Sequence, residues 1–267
     1  RSNEGPALCK ADVNGNGLED LYVGGGREQA GRLLIQQEMG AFSSFETALF
    51  EADRDAEDTD CVFFDATGNG YPDLYVTSGG NSFSMGSSGL LDRLYLNDGS
   101  GGFQKSTAFL PPGGYASNST VVPLDFNRDG NMDLFVGERL KLFSVGLPGR
   151  GFLLANDGTG RFRDVTSDYS VEFEALGMIT DALSADLTGD GENELVIAGE
   201  WMPVRIFRTT GDRFEEITSE FGLESTKGWW NALAAADIDG DGYTDLVGAN
   251  HGRNSMFKTD QGFPVKM

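Results

Sequence analysis

Five short acidic segments carry the chemistry of this chain. They read DVNGNGLED from Asp12, DATGNGYPD from Asp65, DFNRDGNMD from Asp125, DLTGDGENE from Asp186 and DIDGDGYTD from Asp237. Each places oxygen-bearing side chains at positions 1, 3, 5 and 9 and a glycine at position 6, where a sharp turn needs backbone freedom that other residues lack. The donors are Asp12, Asn14, Asn16 and Asp20 in the first loop, and Asp65, Thr67, Asn69 and Asp73 in the second. The third has Asp125, Asn127, Asp129 and Asp133, the fourth Asp186, Thr188, Asp190 and Glu194, and the fifth Asp237, Asp239, Asp241 and Asp245. Position 7, occupied by Leu18, Tyr71, Asn131, Glu192 and Tyr243, adds a backbone carbonyl. Ligation by hard oxygens alone selects Ca²⁺, up to five ions, and a flexible loop with neutral amides serves the octahedron of Mg²⁺ poorly. Zinc and copper would need thiolate or imidazole, and the chain holds one histidine, His251, and two cysteines, Cys9 and Cys61, in strand-like segments.

An EF-hand is the competing reading, and position 12 decides against it. A bidentate glutamate is required there. Val23, Val76, Val136, Ile197 and Gly248 stand in its place, and the acid sits at position 9. Carboxylates at positions 1, 3, 5 and 9 number 2, 2, 3, 3 and 4 through the five loops. More ligand charge means tighter binding at comparable geometry, so the Asp237 loop is expected to fill first and the Asp12 and Asp65 loops last. The alternative, that these Asx-Gly turns merely fold back on their own backbone, explains one loop easily and five copies poorly.

The loops recur at offsets of 53, 60, 61 and 51 residues, which implies a repeated supersecondary unit. An apolar stretch precedes each loop, as in CVFF at Cys61 to Phe64, and another follows, as in LYV at Leu21 to Val23. A third segment ends in a glycine-containing turn and a phenylalanine at Phe42, Phe103, Phe162, Phe214 and Phe263, with hairpin signals at Asp98-Gly99 and Asp157-Gly158. A weaker fourth strand is expected after the phenylalanine. The prediction is an all-β propeller of four-stranded antiparallel blades, about five of them, in a single domain over residues 1–267. Ala7 to Ala11 either closes a ring with the last repeat or leaves an arc. The stretches Glu51 to Asp60 and Ser82 to Leu91 are read as surface excursions.

Composition agrees with many tight turns: glycine supplies 38 of 267 residues and proline only 8. A net charge of −22 disfavours nucleic acid and anionic lipid as partners and favours cations. Five Ca²⁺ would bring that charge to −12. The longest apolar run, Ala232 to Ala236, is far below the roughly 18 residues that span a bilayer, so no membrane insertion is expected.

These loops, with RLYLNDGSGGF from Arg93, GEWMPVRIF from Gly199 and GWWNALAAADIDGDG from Gly228, resemble the FG-GAP and VCBS repeat families. The likeness extends to integrin α-subunit-like propellers and, more closely, to secreted or surface bacterial proteins related to cartilage acidic protein. The resemblance implies Ca²⁺ at the loop positions named above, a secreted or cell-surface setting, and an arc of a seven-bladed ring. Asn14, Asn16, Thr67, Asn69 and Thr188 depart from the usual aspartate, which bears on affinity.

The expected function is non-catalytic, calcium-stabilised recognition or adhesion toward a protein or glycan at the cell surface. The rival is a polysaccharide-binding lectin or a glycan-active lyase or hydrolase. Trp201, Trp229 and Trp230 are candidates for a sugar platform, although adjacent tryptophans in a strand point to opposite sides, so one belongs to the core. His251, with Arg253 and Asn254, has no fixed partner that would make it catalytic. Cys9 and Cys61 fall on opposite pleat phases and are expected as two buried thiols. Asp60 and Asp181, each five residues before a loop aspartate, either support the loop ligands from behind or lie on the rim, and the rim is the preferred reading.

Overall fold

The computed structural model describes residues 5–45, 48–108, 110–112, 114–144 and 146–252. The first blade comprises β1 (Leu8–Ala11), β2 (Asp20–Val23), β3 (Arg32–Gln36) and β4 (Phe42–Ser44). The second comprises β5 (Asp58–Phe64), β6 (Asp73–Ser78), β7 (Arg93–Asn97) and β8 (Phe103–Lys105). The third is β9 (Ser117–Leu124), β10 (Asp133–Leu140), β11 (Gly151–Asn156) and β12 (Phe162–Asp164). The fourth is β13 (Met178–Ala185), β14 (Glu194–Met202), β15 (Arg205–Thr209) and β16 (Phe214–Glu216). Two strands of a fifth follow, β17 (Gly228–Ala236) and β18 (Asp245–Asn250).

Within every blade the strands pair antiparallel in chain order, as expected for up-and-down connections through tight turns. The fourth strand begins at the phenylalanine itself and runs only three residues, shorter than its three partners. The first strands of successive blades, β1, β5, β9, β13 and β17, are neighbours and form the inner wall. Leu8, 65% exposed on the first blade, and Val247, 49% exposed on the fifth, lie on the two end faces, so the described residues form an arc. Leu8–Ala11 pairs with β2 as the inner strand of its own blade. The predicted third segment of the last repeat, ending at Phe263, lies outside the described residues.

The core lies between blades. Tyr22 and Leu33 of the first blade pack on Leu74, Val76 and Tyr95 of the second, while Phe64, Tyr75 and Leu94 on its other face meet Leu134, Val136 and Leu154 of the third. The third and fourth blades share Phe135, Phe173, Ile197 and Phe207, and the fourth and fifth share Val196, Ile206, Trp230 and Leu233. The second and third strands of the second, third and fourth blades are therefore buried on both pleat faces, which is why the sequence shows apolar runs there and no alternation. The two excursions are not purely surface: Glu57, Asp58, Phe83 and Leu90 are buried.

This arrangement overturns the expectation for the cysteines. Cys9 and Cys61 form a disulfide with Cα atoms 5.8 Å apart, joining the first and second blades. Opposite pleat phases would separate two residues within one sheet. Across a seam, however, the facing surfaces of neighbouring blades are opposite faces of the repeat, so opposite phases bring the side chains together. Cys9 shares its face with Tyr22, and Cys61 with Val76, and all four belong to one cluster.

Candidate functional site

Each acidic loop is built by its own aspartates. Position 1 accepts from the backbone N–H groups around the turn: Asp12 from Gly15, Asn16 and Gly17, Asp65 from Asn69 and Gly70, and Asp125 from Asp129 and Gly130. Asp186 accepts from Gly189 and Gly191, and Asp237 from Gly240 and Gly242. Position 5 accepts from the N–H of position 7 in all five loops, at 2.8 to 2.9 Å. Position 6 is left-handed throughout, with φ of 82° to 90° at Gly17, Gly70, Gly130, Gly191 and Gly242. Position 4 is left-handed too, and there Arg128, at φ 59°, is the one non-glycine. That second requirement is written in the sequence as Gly15, Gly68, Gly189 and Gly240, a signal separate from the glycine at position 6.

Position 9 anchors the loop to the sheet. Asp20, Asp73, Glu194 and Asp245 each accept from the N–H of position 2. Asp20, Asp73 and Asp133 accept from the end of the third strand, at Gln36, Asn97 and Asn156. Asn97 and Asn156 then reach across the seam, donating from Nδ2 to the carbonyls of Val13 and Ala66 in the preceding blade at 2.8 and 2.9 Å. These asparagines went unread, although both stand directly before an Asp-Gly turn.

The electrostatics of the loops are those of a site short of positive charge. Asp133 is fully buried, and its Oδ2 has no hydrogen-bond partner. Burial, together with the Asp129 and Asp125 carboxylates, pushes its carboxyl up to about 7. Burial likewise raises Asp73 and Glu194 above the ordinary carboxylate range. In the fifth loop Asp237, Asp239 and Asp245 each bring an oxygen within 4.8 Å of the others. An ionised carboxylate offers about four lone-pair directions, so the backbone N–H bonds leave capacity for a cation on the same oxygens. The donor set, all oxygen with an orphaned buried acceptor, fits a hard divalent ion.

Asp60 and Asp181 are not rim residues. Asp60 accepts from Cys61 N–H and from Val121 N–H of the next blade, and Asp181 accepts from Ala182 and from Leu233 of the next. Burial raises both carboxyls, Asp60 to about 6, and the Asp181 charge adds to the rise at Asp60. One residue earlier, a β-bulge turns a hydroxyl across the same seam: Thr59 donates to Asn118 O, Ser119 to Ile179 O and Thr180 to Trp230 O. Bulges of this kind re-aim a side chain, and no alternation pattern reveals them.

At the opposite end from the acidic loops, the three tryptophans divide. Trp230 joins the core between the fourth and fifth blades and donates its Nε1–H to Thr226 O at 2.9 Å. Trp201 lies against Trp229 with ring centroids 5.3 Å apart and planes tilted by 39°, and His251 stacks on Trp229 at 4.8 Å. The expectation that one tryptophan is core is met by Trp230. Arg253 and Asn254 lie outside the described residues.

The model of the FG-GAP-like repeat family matches residues 12–76, 77–136 and 186–248. Over 163 residues the chain is 31% identical to cartilage acidic protein 1 of Xenopus tropicalis, covering 55% of this chain and 24% of that protein. Among solved structures it is similar to an Agrocybe aegerita lectin described as specifically recognising non-reducing terminal N-acetylglucosamine. That likeness has a TM-score of 0.53 at 20% identity and covers 91% of this chain and 60% of the lectin. The chain thus spans about a quarter of the one relative and three fifths of the other.

Proposed function

Because the chain belongs to the FG-GAP-like repeat family, we propose that it is an extracellular or cell-surface recognition module braced by calcium, binding a glycan or protein and catalysing nothing. The convergence of Asp237, Asp239 and Asp245 carries the calcium reading, and the orphaned Asp133 oxygen supports it in a second loop. Position 1, 3, 5 and 9 oxygens and the position 7 carbonyl would hold each ion. Bound there, calcium supplies positive charge that locks the turn onto the position 9 strand; its role is structural. A disulfide between inner strands suits an oxidising compartment, where calcium is abundant enough for modest sites. Among the described residues no helix is long and apolar enough to cross a membrane. The lectin's ligand makes terminal N-acetylglucosamine the first sugar to test.

Chelation tests the brace. A site with calcium at one hundred times its Kd, binding only the folded chain, adds about 2.7 kcal/mol. EGTA is therefore expected to lower Tm and protease resistance together, with Asp237→Asn abolishing part of the effect. Unchanged Tm and protease resistance after chelation would remove calcium from the reading. Labelled chain applied in calcium to a glycan array and to intact cells tests recognition. Retention on one of them is expected, and retention on neither overturns recognition.

A further inference from the structure

The geometry at the seam between the fourth and fifth blades points to a carbohydrate subsite in which Trp201, Trp229 and His251 stack against a pyranose ring, beside the Arg139–Glu200 ion pair. The inference rests on the recognition reading and names its ligand class and place. Glu200 and Trp229 are directly paired across β14 and β17, so their side chains share a face. Trp201, the next residue, would face the other way in a regular strand. It does not, because the ladder is bulged between Glu200 and Met202 and Trp201 is left-handed, with φ of 64°. The bulge swings its indole back over Trp229.

A bulky residue held at positive φ costs free energy, and such strain gathers where a side chain must be aimed. Packing does not demand this one: the core between the blades takes Trp230 and leaves Trp201 and Trp229 out. Trp201, Trp229 and His251 are all only half-buried. Beside them, Arg139 of the third blade donates from Nη2 to Oε1 of Glu200, which is itself buried. Aromatic faces accept the C–H face of a sugar, while a fixed guanidinium and carboxylate donate to and accept from its hydroxyls. No other seam combines these features among the described residues: β10 ends on Leu140 at the place where β14 carries Trp201.

The three indole N–H resonances give a direct readout on the full chain. Titration with cellohexaose, mannohexaose and chitohexaose in calcium is expected to shift the Trp201 and Trp229 signals with at least one sugar and to leave Trp230 in place. Trp201→Gly keeps the left-handed backbone without its strain, so Tm is expected to hold or rise while affinity for that sugar falls about thirtyfold or more. If no sugar shifts Trp201 or Trp229, or if Trp201→Gly binds as tightly as the parent, the subsite is overturned. Retention on cells without any indole shift removes the subsite, points to a protein partner and leaves the recognition reading standing. Failure on both cells and glycans removes both.

Discussion

The two ends of the propeller follow different rules. At the acidic end the same hydrogen bonds recur blade after blade: position 1 to the turn, position 5 to position 7 and, in the first three blades, position 9 to the third strand. Toward the opposite end, beyond the shared Thr59, Ser119 and Thr180 hydroxyls, contacts differ from blade to blade: buried Arg93 pairs with Asp58 inside the second blade, while Trp201, Trp229 and His251 cluster at the last seam. Repetition marks what every blade needs in order to fold. Departure from the repeat marks what only one place needs, either a local clamp or a ligand.

If that division is right, changes to shared seam contacts cost stability and leave ligand binding alone, and the effects are ordered. The largest is expected from opening the Cys9–Cys61 disulfide. The cysteines lie 52 residues apart, and closing a loop of that length removes entropy equivalent to about 4 kcal/mol from the unfolded chain. Urea unfolding of Cys9→Ser/Cys61→Ser against the oxidised parent measures it. A midpoint unchanged after the double replacement would mean that the first seam is held without the covalent link.

Asn97→Ala comes next. It strips one amide of its bonds to Val13 O and Pro72 O and leaves those carbonyls without a partner. A loss of about 2 kcal/mol is expected in chemical denaturation. Asn156→Ala, its counterpart one blade on, should match it, and a large difference between the two would break the claim that the acidic end is a true repeat.

Acid titration reads an effect at the inner wall that is confined to one pH window. Asp60 titrates at about 6 when folded, against an ordinary value of 3.8, chiefly because burial penalises its charge. The folded chain therefore holds that proton more tightly than the unfolded chain. Its contribution to stability is greatest below about 4 and is lost as pH rises through about 6. Asp60→Asn in EGTA should flatten the stability profile across this window while keeping an acceptor for one of the two N–H groups. A profile as steep as the parent's would show that other carboxyls set it.

The smallest effect is a gain. Arg128 occupies the left-handed fourth position that glycine fills in the other four loops, so Arg128→Gly is expected to add about 1 kcal/mol. Its ion pair with Glu192 at 3.2 Å is solvent-exposed and offsets little of this. A drop in Tm would mean that the pair outweighs the strain.

The acidic loops, the order of strands and the hairpin turns at Gly99 and Gly158 were all legible, because each depends on residues within a few positions of one another. An Asx side chain bonds its own turn, and a glycine relieves its own backbone, wherever the repeat is placed. Asn97, Thr59 and Asp60 were not legible as seam residues. Their partners, Val13, Asn118 and Val121, are fixed by which blade stands next to which and by a bulge that shifts the side-chain phase. Cys9 and Cys61 mark the boundary most clearly, since their phases were read correctly and their pairing was reversed by the stacking of blades.

The chain's own order of residues was enough to determine five oxygen-rich turns, a blade-sized period and strands apolar on both faces, because short-range hydrogen bonding and burial act within one repeat. Tertiary structure alone decided which residues meet across a seam, which tryptophan enters the core, and that Trp201 turns back on Trp229. Those outcomes depend on the angle and register between sheets, which arise only when several blades pack side by side.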